Sequence, residues 1–190
     1  PDFNKIFYDS NDMVCTISKV TDDIVRTVSP EVLCKRIPHS VDTKIFSPKS
    51  EASDLEIRKK IVPNNDKMIF FWNNRNARRK QSGSLIFWFK DFLDIVGHDK
   101  ACLVMHTEPK DPNGQNLVAI MENLKLNNGE VILSTQKIPP EELGKVYSAV
   151  DCTINISDAE GFGLATLESL ASETPIIVNM TGGLQEQVTD

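Results

Sequence analysis

The sequence predicts an α/β fold in which a parallel β-sheet is sandwiched by helices in a Rossmann-like arrangement. From about residue 67 onward, short β-rich runs alternate with longer amphipathic segments, which is the pattern of repeated βαβ units. Segments that contain glycine or clustered basic residues follow three of the predicted strands. In an open parallel sheet such segments meet at the carboxyl edge, where ligands bind.

Each predicted strand of this region is a short apolar or β-branched run between polar residues. The strands are 68–72, 101–105, Val131–Ser134, 152–156 and 175–179. Helical periodicity predicts the intervening helices. They are 80–96, 115–124, Pro140–Ala149 and 163–172, followed by one beginning near Leu184.

The helix predicted over 80–96 carries apolar residues at helical spacing, and Gly97 is the expected stop. On that periodicity Phe87, Trp88 and Phe89 are predicted to lie in the core rather than to form a base-stacking platform. The first 66 residues predict a strand over 14–17, a helix over Lys19–Val28 and a strand over 35–37, and a connector over 47–51.

The composition is that of an average globular protein, and the length allows one domain plus a remainder. The net charge of −6 disfavours nucleic acid as a partner. The four cysteines form no C-x-x-C pair, so reduced thiols and a cytoplasmic location are expected. No apolar run reaches the length that a membrane span needs.

The segment from Asp158 to Glu168 reads DAEGFGLATLE and lies between a predicted strand and a predicted helix. The free N–H groups at such a helix start suit a phosphate, and Gly161 and Gly163 allow a ligand to approach the backbone. Glu160 and Glu168 suit sugar or ribose hydroxyls better than phosphate. The alternative is that the glycines are ordinary turn residues, that Glu160 is a helix-dipole partner in the first turn, and that Glu168 is a solvated helix residue.

A basic segment, NNRNARRK, follows the strand predicted over 68–72. Its cations Arg75, Arg78, Arg79 and Lys80 stand out in an acidic chain and indicate a local anion site. Two cations at this edge can neutralise a diphosphate, and Arg75 with Lys80 is the favoured pair. The alternative is a basic, solvated helix start.

Two other features carry less information. The glycines of Thr181-Gly182-Gly183 follow a predicted strand and suit either a backbone anion cradle or a tight turn. The three histidines share no metal-binding spacing, and His98, just after Gly97, is expected to act as a helix-dipole partner.

Taken together and in this order, the motifs resemble the donor-binding C-terminal half of retaining glycosyltransferases with the GT-B fold, in glycosyltransferase family 4 (group 1). Glu160 and Glu168 within EGFGLATLE match the E-x7-E element of that family. Arg75 and Lys80 match its Arg-x4-Lys diphosphate pair. The stretches IPHSVDTKIF, IPPEELGKVYSAVD and TPIIVNMTGGLQEQV also resemble family segments.

The resemblance implies roles for individual residues. Arg75 and Lys80 would hold the diphosphate and stabilise it as it departs, and Glu160 would bind donor-sugar hydroxyls; these three are the expected catalytic residues. Glu168 would bind the ribose. Further contacts to the donor are expected from two short segments, Gly161, Phe162, Gly163 and Leu164, and Gln136, Lys137 and Ile138, with the base near the second.

The resemblance also implies an organisation in three parts. Residues 1–40 are expected to end an N-terminal acceptor-side domain, 41–66 to form a connector, and 67–190 to form a donor domain that is incomplete at its C-terminus. The chain departs from the family at two positions that are usually glycine, where it has Gln81 and Glu173, and in having Asn155-Ile156-Ser157 before the motif.

The function implied is transfer of a hexose, with GDP-mannose as the expected donor, to a glycan-type or other acceptor without a metal or cofactor. Peripheral membrane association through the N-terminal domain is compatible with this function. The alternatives are a nucleotide-sugar binding module, a relative such as a nucleotide-sugar 2-epimerase, and a structural α/β domain without nucleotide affinity.

Overall fold

The computed structural model describes residues 2–64 and 66–188, so residues 1, 65, 189 and 190 of the predicted domain ranges lie outside the described part. Its contacts divide the chain into two units. The first unit takes in the described residues of Pro1–Ser40, Ala159–Leu164 and Met180–Asp190. The second takes in those of Val41–Asp158 and Ala165–Asn179.

Strands and helices alternate along the chain. The strands are β1 (Met13–Thr16), β2 (Leu33–Arg36), β3 (Met68–Asn73), β4 (Ala101–His106), β5 (Val131–Ser134), β6 (Cys152–Asn155) and β7 (Ile176–Val178). The helices are α1 (Asp2–Asp9), α2 (Lys19–Val28), α3 (Glu51–Ile61), α4 (Ser82–Val96), α5 (Leu117–Leu124), α6 (Pro140–Ala149) and α7 (Leu164–Ala171). Short 3₁₀ turns cover Arg78–Lys80 and Gly182–Glu186.

The second unit is built on a parallel sheet with strand order β5-β4-β3-β6-β7, which confirms the predicted fold class. Side chains alternate across β3, so that Phe70 and Trp72 enter one apolar layer while Ile69 and Phe71 enter the other. The first layer is shared with α4 and α5, and the second with α6. Central strands buried on both faces explain why these runs are continuously apolar.

The prediction that Phe87, Trp88 and Phe89 of α4 all lie in the core is wrong at two of these three residues. Phe89 is 4% exposed, but Phe87 and Trp88 are 51% and 56% exposed. The residues that pack on the sheet are Leu85, Ile86, Phe89 and Leu93, which already form a complete helical stripe. Phe87 and Trp88 fall on the outer side of that stripe.

The helix predicted to begin at residue 80 begins instead at Ser82, because Gln81 interrupts it with a left-handed backbone (φ +56°). Glu173, after α7, is also left-handed (φ +57°). These are the two positions at which the family resemblance leads one to expect glycine. The backbone conformation gives the reason for that glycine, because only glycine adopts positive φ without steric cost.

Within the described residues, two helices were not predicted from the sequence. Helix α1 lies in the first unit, and α3 lies in the second, within the range expected to be a connector. Helix α3 is capped by Ser50, and its Ile57 is buried. Its apolar residues are few, so the periodic signal is weak.

In the first unit, β1 and β2 pair in parallel and α2 connects them. The Ser18 hydroxyl caps α2 by accepting a hydrogen bond from the Thr21 N–H. Glu186 accepts a hydrogen bond from the Lys19 N–H and forms an ion pair of 2.9 Å with Arg36 Nη1. The C-terminal 3₁₀ turn is thereby attached to the β1-β2 layer.

Candidate functional site

Polar residues end four adjacent strands at the carboxyl edge of the sheet: Asn73, His106, Ser134 and Asn155. Asn73 pairs in register with His106, and His106 with Ser134. His106 Nδ1 lies 3.0 Å from Ser134 Oγ, and burial lowers the pKa of the imidazole. This row was not predicted as a site, although each of its residues is the polar end of an apolar run.

Arg75 lies on the loop after β3 and is held by a carboxylate from the loop after β4. Its Nε and Nη2 donate to Asp111 at 2.7 and 3.2 Å. The Arg75 side chain is 65% exposed, whereas that of Asp111 is only 10% exposed. Arg75 lowers the pKa of Asp111 to about 2, helped by the Asn113 N–H. A guanidinium has five N–H donors, so three remain for a ligand.

Buried Asn76 fixes this loop against the next one. Its Nδ2 donates to the carbonyls of Pro109 and Gln115 at 3.3 and 2.7 Å, while its Oδ1 accepts from Ser82 Oγ at 2.6 Å. The side chain therefore joins the segments after β3 and β4 to the start of α4. Arg75 is therefore held both by its own hydrogen bonds to Asp111 and by the fixed position of its neighbour Asn76.

Lys80 differs from the other basic residues of its segment because it is buried, at 7% exposed, while Arg75, Arg78 and Arg79 are exposed. Its Nζ donates to Asn74 Oδ1 at 2.7 Å. The Nδ2 of Asn74 is buried without a partner among the described residues. A buried ammonium beside an unmet N–H donor is an arrangement that an anion would satisfy.

Glu168, on α7, is half-buried rather than a solvated helix residue. Burial raises the pKa of its carboxyl, and the Tyr147 hydroxyl opposes that shift. Burial also raises the pKa of Tyr147 well above its ordinary value. Asn73 Nδ2 donates to the same hydroxyl at 3.0 Å. Asn73 and Asn74, consecutive residues at the end of β3, are therefore hydrogen-bonded to Tyr147 and to Lys80 respectively.

Helix α7 packs on β6 through hydroxyl and amide groups instead of large apolar side chains. Asn155 Nδ2 donates to Thr166 Oγ1 at 3.1 Å, and the Thr153 and Ser169 hydroxyls lie 2.6 Å apart. All four residues are buried. Small side chains allow close approach of helix and strand, and the hydrogen bonds fix the rotation of α7 on which Glu168 depends.

The glycine-rich loop of residues 160–164 belongs to the first unit. Gly183 N–H donates to the Glu160 carbonyl at 2.9 Å, so this N–H is not available to an anion. A Cβ on Gly182 would lie 2.0 Å from the same carbonyl. The Gly182-Gly183 pair therefore serves close backbone packing. Gly163 has φ +93°, and Leu164 begins α7.

Phe162 is also held within the first unit. Its ring packs edge-on against His39, with centroids 5.3 Å apart, and its carbonyl accepts a hydrogen bond from the Gln187 side chain. The predicted roles of Glu160, Gly161, Phe162, Gly163 and Leu164 toward a donor stay predictions.

The segment predicted to contact a base lies in the irregular loop between β5 and α6. Gln136 and Lys137 are exposed and Ile138 is half-buried, and their predicted role is not tested by these contacts. Within residues 2–64 and 66–188, three or more His, Cys, Asp or Glu side chains nowhere cluster as metal ligands would. In the same ranges every helix is too short or too polar to span a membrane.

Residues 53–190 match the family model "Glycosyl transferases group 1". The chain is 30% identical over 152 residues to the D-inositol 3-phosphate glycosyltransferase of Corynebacterium jeikeium, covering 78% of this chain and 36% of the relative. It is 26% identical over 185 residues to the alpha-monoglucosyldiacylglycerol synthase of Streptococcus pneumoniae, covering 96% and 40%. The chain thus spans well under half of either relative.

Solved structures show the same fold. The sucrose-phosphate synthase of Thermosynechococcus elongatus matches with a TM-score of 0.81 at 23% identity, over 98% of this chain and 45% of that one. HepE of Anabaena in complex with UDP and glucose matches with a TM-score of 0.80 at 15% identity, over 96% and 48%. The C-terminal domain of a group 1 glycosyl transferase from Francisella tularensis matches at 0.59 and 21% identity, over 80% and 76%. The chain belongs to the group 1 glycosyl transferase family and corresponds to the C-terminal domain of its GT-B members.

Proposed function

We propose that this chain binds a nucleoside diphosphate hexose and serves retaining transfer of the hexose to a glycan-type acceptor. The observation that carries the proposal is the pair of cations after β3. Lys80 is buried beside an Asn74 N–H that has no partner in the described part of the chain, and Arg75 is held by Asp111 with three N–H donors to spare. Their positions in the sequence match the diphosphate pair of the family.

Cations at this position act on the step in which the bond to the sugar breaks. Breaking the bond between the anomeric carbon and the β-phosphate oxygen leaves negative charge on the departing diphosphate. A pre-positioned ammonium and guanidinium stabilise that charge more than they stabilise the ground state, which lowers the barrier. Lys80 is suited to this role because its burial strengthens its electrostatic interactions.

Glu168 supplies the second half of the proposal, recognition of the nucleoside. A carboxylate accepts hydrogen bonds and has capacity for both ribose hydroxyls. Glu160, in the first unit, is proposed to accept from hydroxyls of the donor sugar. Neither role involves a metal or an organic cofactor in this proposal.

GDP-mannose is the donor that the sequence resemblance favours, and UDP-glucose is its competitor because solved HepE structures contain UDP, glucose or UDP-glucose. The acceptor is proposed to be a glycan or another hydroxyl-bearing molecule, since the relatives named above act in glycosyl transfer. The proposed location is the cytoplasm, because the cysteine pattern predicts reduced thiols.

Calorimetric titration of the chain with GDP, UDP, ADP, GDP-mannose and UDP-glucose tests the proposal. One nucleotide series should bind, and the Arg75→Ala/Lys80→Ala variant should lose at least about tenfold in affinity, because charged hydrogen bonds are removed. Arg78→Ala/Arg79→Ala removes the same charge from the same segment and is the matched control, which should retain most of the affinity. A folded chain that binds none of these ligands would contradict the proposal.

A further inference from the structure

The loop after β4 contains a tight turn whose first residue is Asp111. The Gly114 N–H donates to the Asp111 carbonyl at 2.9 Å, which closes a β-turn over Asp-Pro-Asn-Gly. Aspartate at the first position, proline at the second and glycine at the fourth are each favoured in the commonest type of β-turn. The Asp111 Oδ1 accepts from the Asn113 N–H at 2.8 Å, as an aspartate that begins a turn does. The direction of the Asp111 side chain is therefore set within its own turn.

This turn is fastened to the loop that carries Arg75. The Arg78 N–H donates to the Asn113 carbonyl at 3.1 Å. A Cβ on Gly114 would lie 2.0 Å from the Asn76 carbonyl, so only glycine allows the two loops to approach this closely. The close packing of the loops holds the turn in a fixed position beside Arg75.

The ion pair between the two loops uses one particular edge of the Arg75 guanidinium. Asp111 accepts from Nε at 2.7 Å and from Nη2 at 3.2 Å, so it contacts the edge that these two nitrogens form. The other edge, which carries both N–H bonds of Nη1 and the second one of Nη2, is left for a ligand. Two N–H bonds from this edge match two oxygens of a phosphate. Because the Arg75 side chain is 65% exposed and that of Asp111 only 10%, the guanidinium is the accessible partner of the pair.

We infer that Asp111 is a positioning residue for Arg75, which holds the guanidinium by one edge and presents the opposite edge to the diphosphate of a nucleotide sugar. This inference rests on the function proposed above and adds to it a residue that contacts no ligand itself. A long, exposed arginine side chain loses conformational freedom when it binds a ligand, and this loss opposes binding. The ion pair with Asp111 orders Arg75 before the ligand arrives, so less freedom is lost on binding.

The charge of Asp111 acts in the opposite direction from its positioning effect. Arg75 lowers the pKa of Asp111 to about 2, so the carboxylate is ionised throughout the neutral pH range. A negative charge close to the site repels an anionic diphosphate. Removal of this charge alone would therefore strengthen diphosphate binding, whereas loss of positioning weakens it. The direction of the change in affinity shows which effect is larger.

The test uses Asp111→Asn in the 190-residue chain. Asparagine is also favoured at the first position of this turn, so the turn is kept, but its amide has one acceptor oxygen where the carboxylate has two. Glu108→Ala is the matched control because it removes an exposed carboxylate from the same loop. Affinities are measured for GDP and GMP, or for UDP and UMP, whichever pair the unmodified chain binds. We expect Asp111→Asn to weaken diphosphate binding about three- to tenfold and to leave monophosphate binding unchanged, and Glu108→Ala to change neither.

The effect of Asp111→Asn should depend on Arg75. In an Arg75→Ala background, Asp111→Asn should no longer weaken diphosphate binding, because the carboxylate acts through the guanidinium. In ¹⁵N NMR spectra, the Arg75 Nε–H should exchange with water faster in Asp111→Asn than in the unmodified chain, because its hydrogen bond is lost. If the asparagine variant does not fold, Asp111→Ser provides the same comparison, since serine is also favoured at this turn position.

The possible results separate this inference from the function on which it rests. Equal or stronger diphosphate binding by Asp111→Asn, an equal loss for both nucleotides, or a loss that persists in the Arg75→Ala background overturns the inference and leaves the proposed function intact. Equal exchange rates of the Arg75 Nε–H in the two forms also overturn the inference. A folded, unmodified chain that binds no nucleoside diphosphate overturns the proposed function, and the inference with it.

Discussion

Replacing Glu173 by glycine should stabilise the protein, because this residue follows the C-terminus of α7 with a left-handed backbone conformation. The Glu173 N–H donates to the Leu170 carbonyl at 3.0 Å, and the Thr174 N–H donates to the Ser169 carbonyl at 3.1 Å. This pair of bonds is the Schellman motif, whose left-handed position is usually glycine. The backbone of Glu173 has φ +57°, and its side chain is exposed.

The expected gain follows from two opposing contributions. A side chain in the left-handed region costs about 1 to 2 kcal/mol, and glycine removes that cost. Glycine also loses more conformational entropy on folding, which returns about 0.5 to 1 kcal/mol. The net increase in the free energy of unfolding is about 0.5 to 1 kcal/mol, or about 1 to 4 °C in Tm for a chain of this size.

Urea denaturation and thermal melting of Glu173→Gly and Glu173→Ala measure this gain. Alanine removes the same carboxylate but keeps a Cβ, so it should show little or none of the stabilisation. Lys125, which ends α5 with φ +58° and the same hydrogen-bond pair, provides a second site with the same expectation. Equal stability of the glycine and alanine variants, at either site, would refute the strain argument.

Two further predictions concern stability in the second unit. His98 lies 3.0 Å from Asp94 and 3.4 Å from Glu130, and the Asp94 hydrogen bond raises the pKa of its imidazole above the ordinary 6.5. The contribution of protonated His98 to the free energy of unfolding is therefore fully present below pH 6.5 and is lost as pH rises through the pKa of the folded state. The Tm should fall over this pH range, and His98→Asn should flatten the fall. An unchanged pH profile of the Tm in the variant contradicts this assignment. A Cβ on Gly144 would lie 2.3 Å from the Ile45 carbonyl, so Gly144→Ala should cost about 1 to 3 kcal/mol of unfolding free energy in urea, and a neutral result would show that α6 can shift.

Local signals were sufficient for most of the sheet. The central strands are apolar on both faces, so their runs stand out in the sequence, and the observed strands match the predicted ones to within one or two residues. The bounds of Lys19–Val28 and Pro140–Ala149 match the prediction, because Ser18 caps the first helix and a proline begins the second.

Other features depend on information that a local pattern does not hold. Periodicity alone did not distinguish buried Phe89 from exposed Phe87 and Trp88, because it does not show which side of an aromatic helix faces the sheet. The few apolar residues of α3 left the helix without a clear periodic signal.

The sequence likewise predicts only part of the candidate site. The spacing of Arg75 and Lys80 is readable from sequence, but the partners that hold them are not, because Asp111 and Asn74 have no motif of their own. The hydrogen bond between Asn73 and Tyr147 likewise joins residues from different elements, β3 and α6. Such pairs come together only in the folded chain, so no local sequence pattern predicts them.

The most direct test of the account compares a nucleoside diphosphate with its monophosphate on three forms of the chain: unmodified, Arg75→Ala/Lys80→Ala and Arg78→Ala/Arg79→Ala. If Arg75 and Lys80 hold the diphosphate, the unmodified chain and the second double variant should both prefer the diphosphate. The first double variant should lose that preference while its monophosphate affinity changes little. A diphosphate preference that survives loss of Arg75 and Lys80 would contradict the central claim.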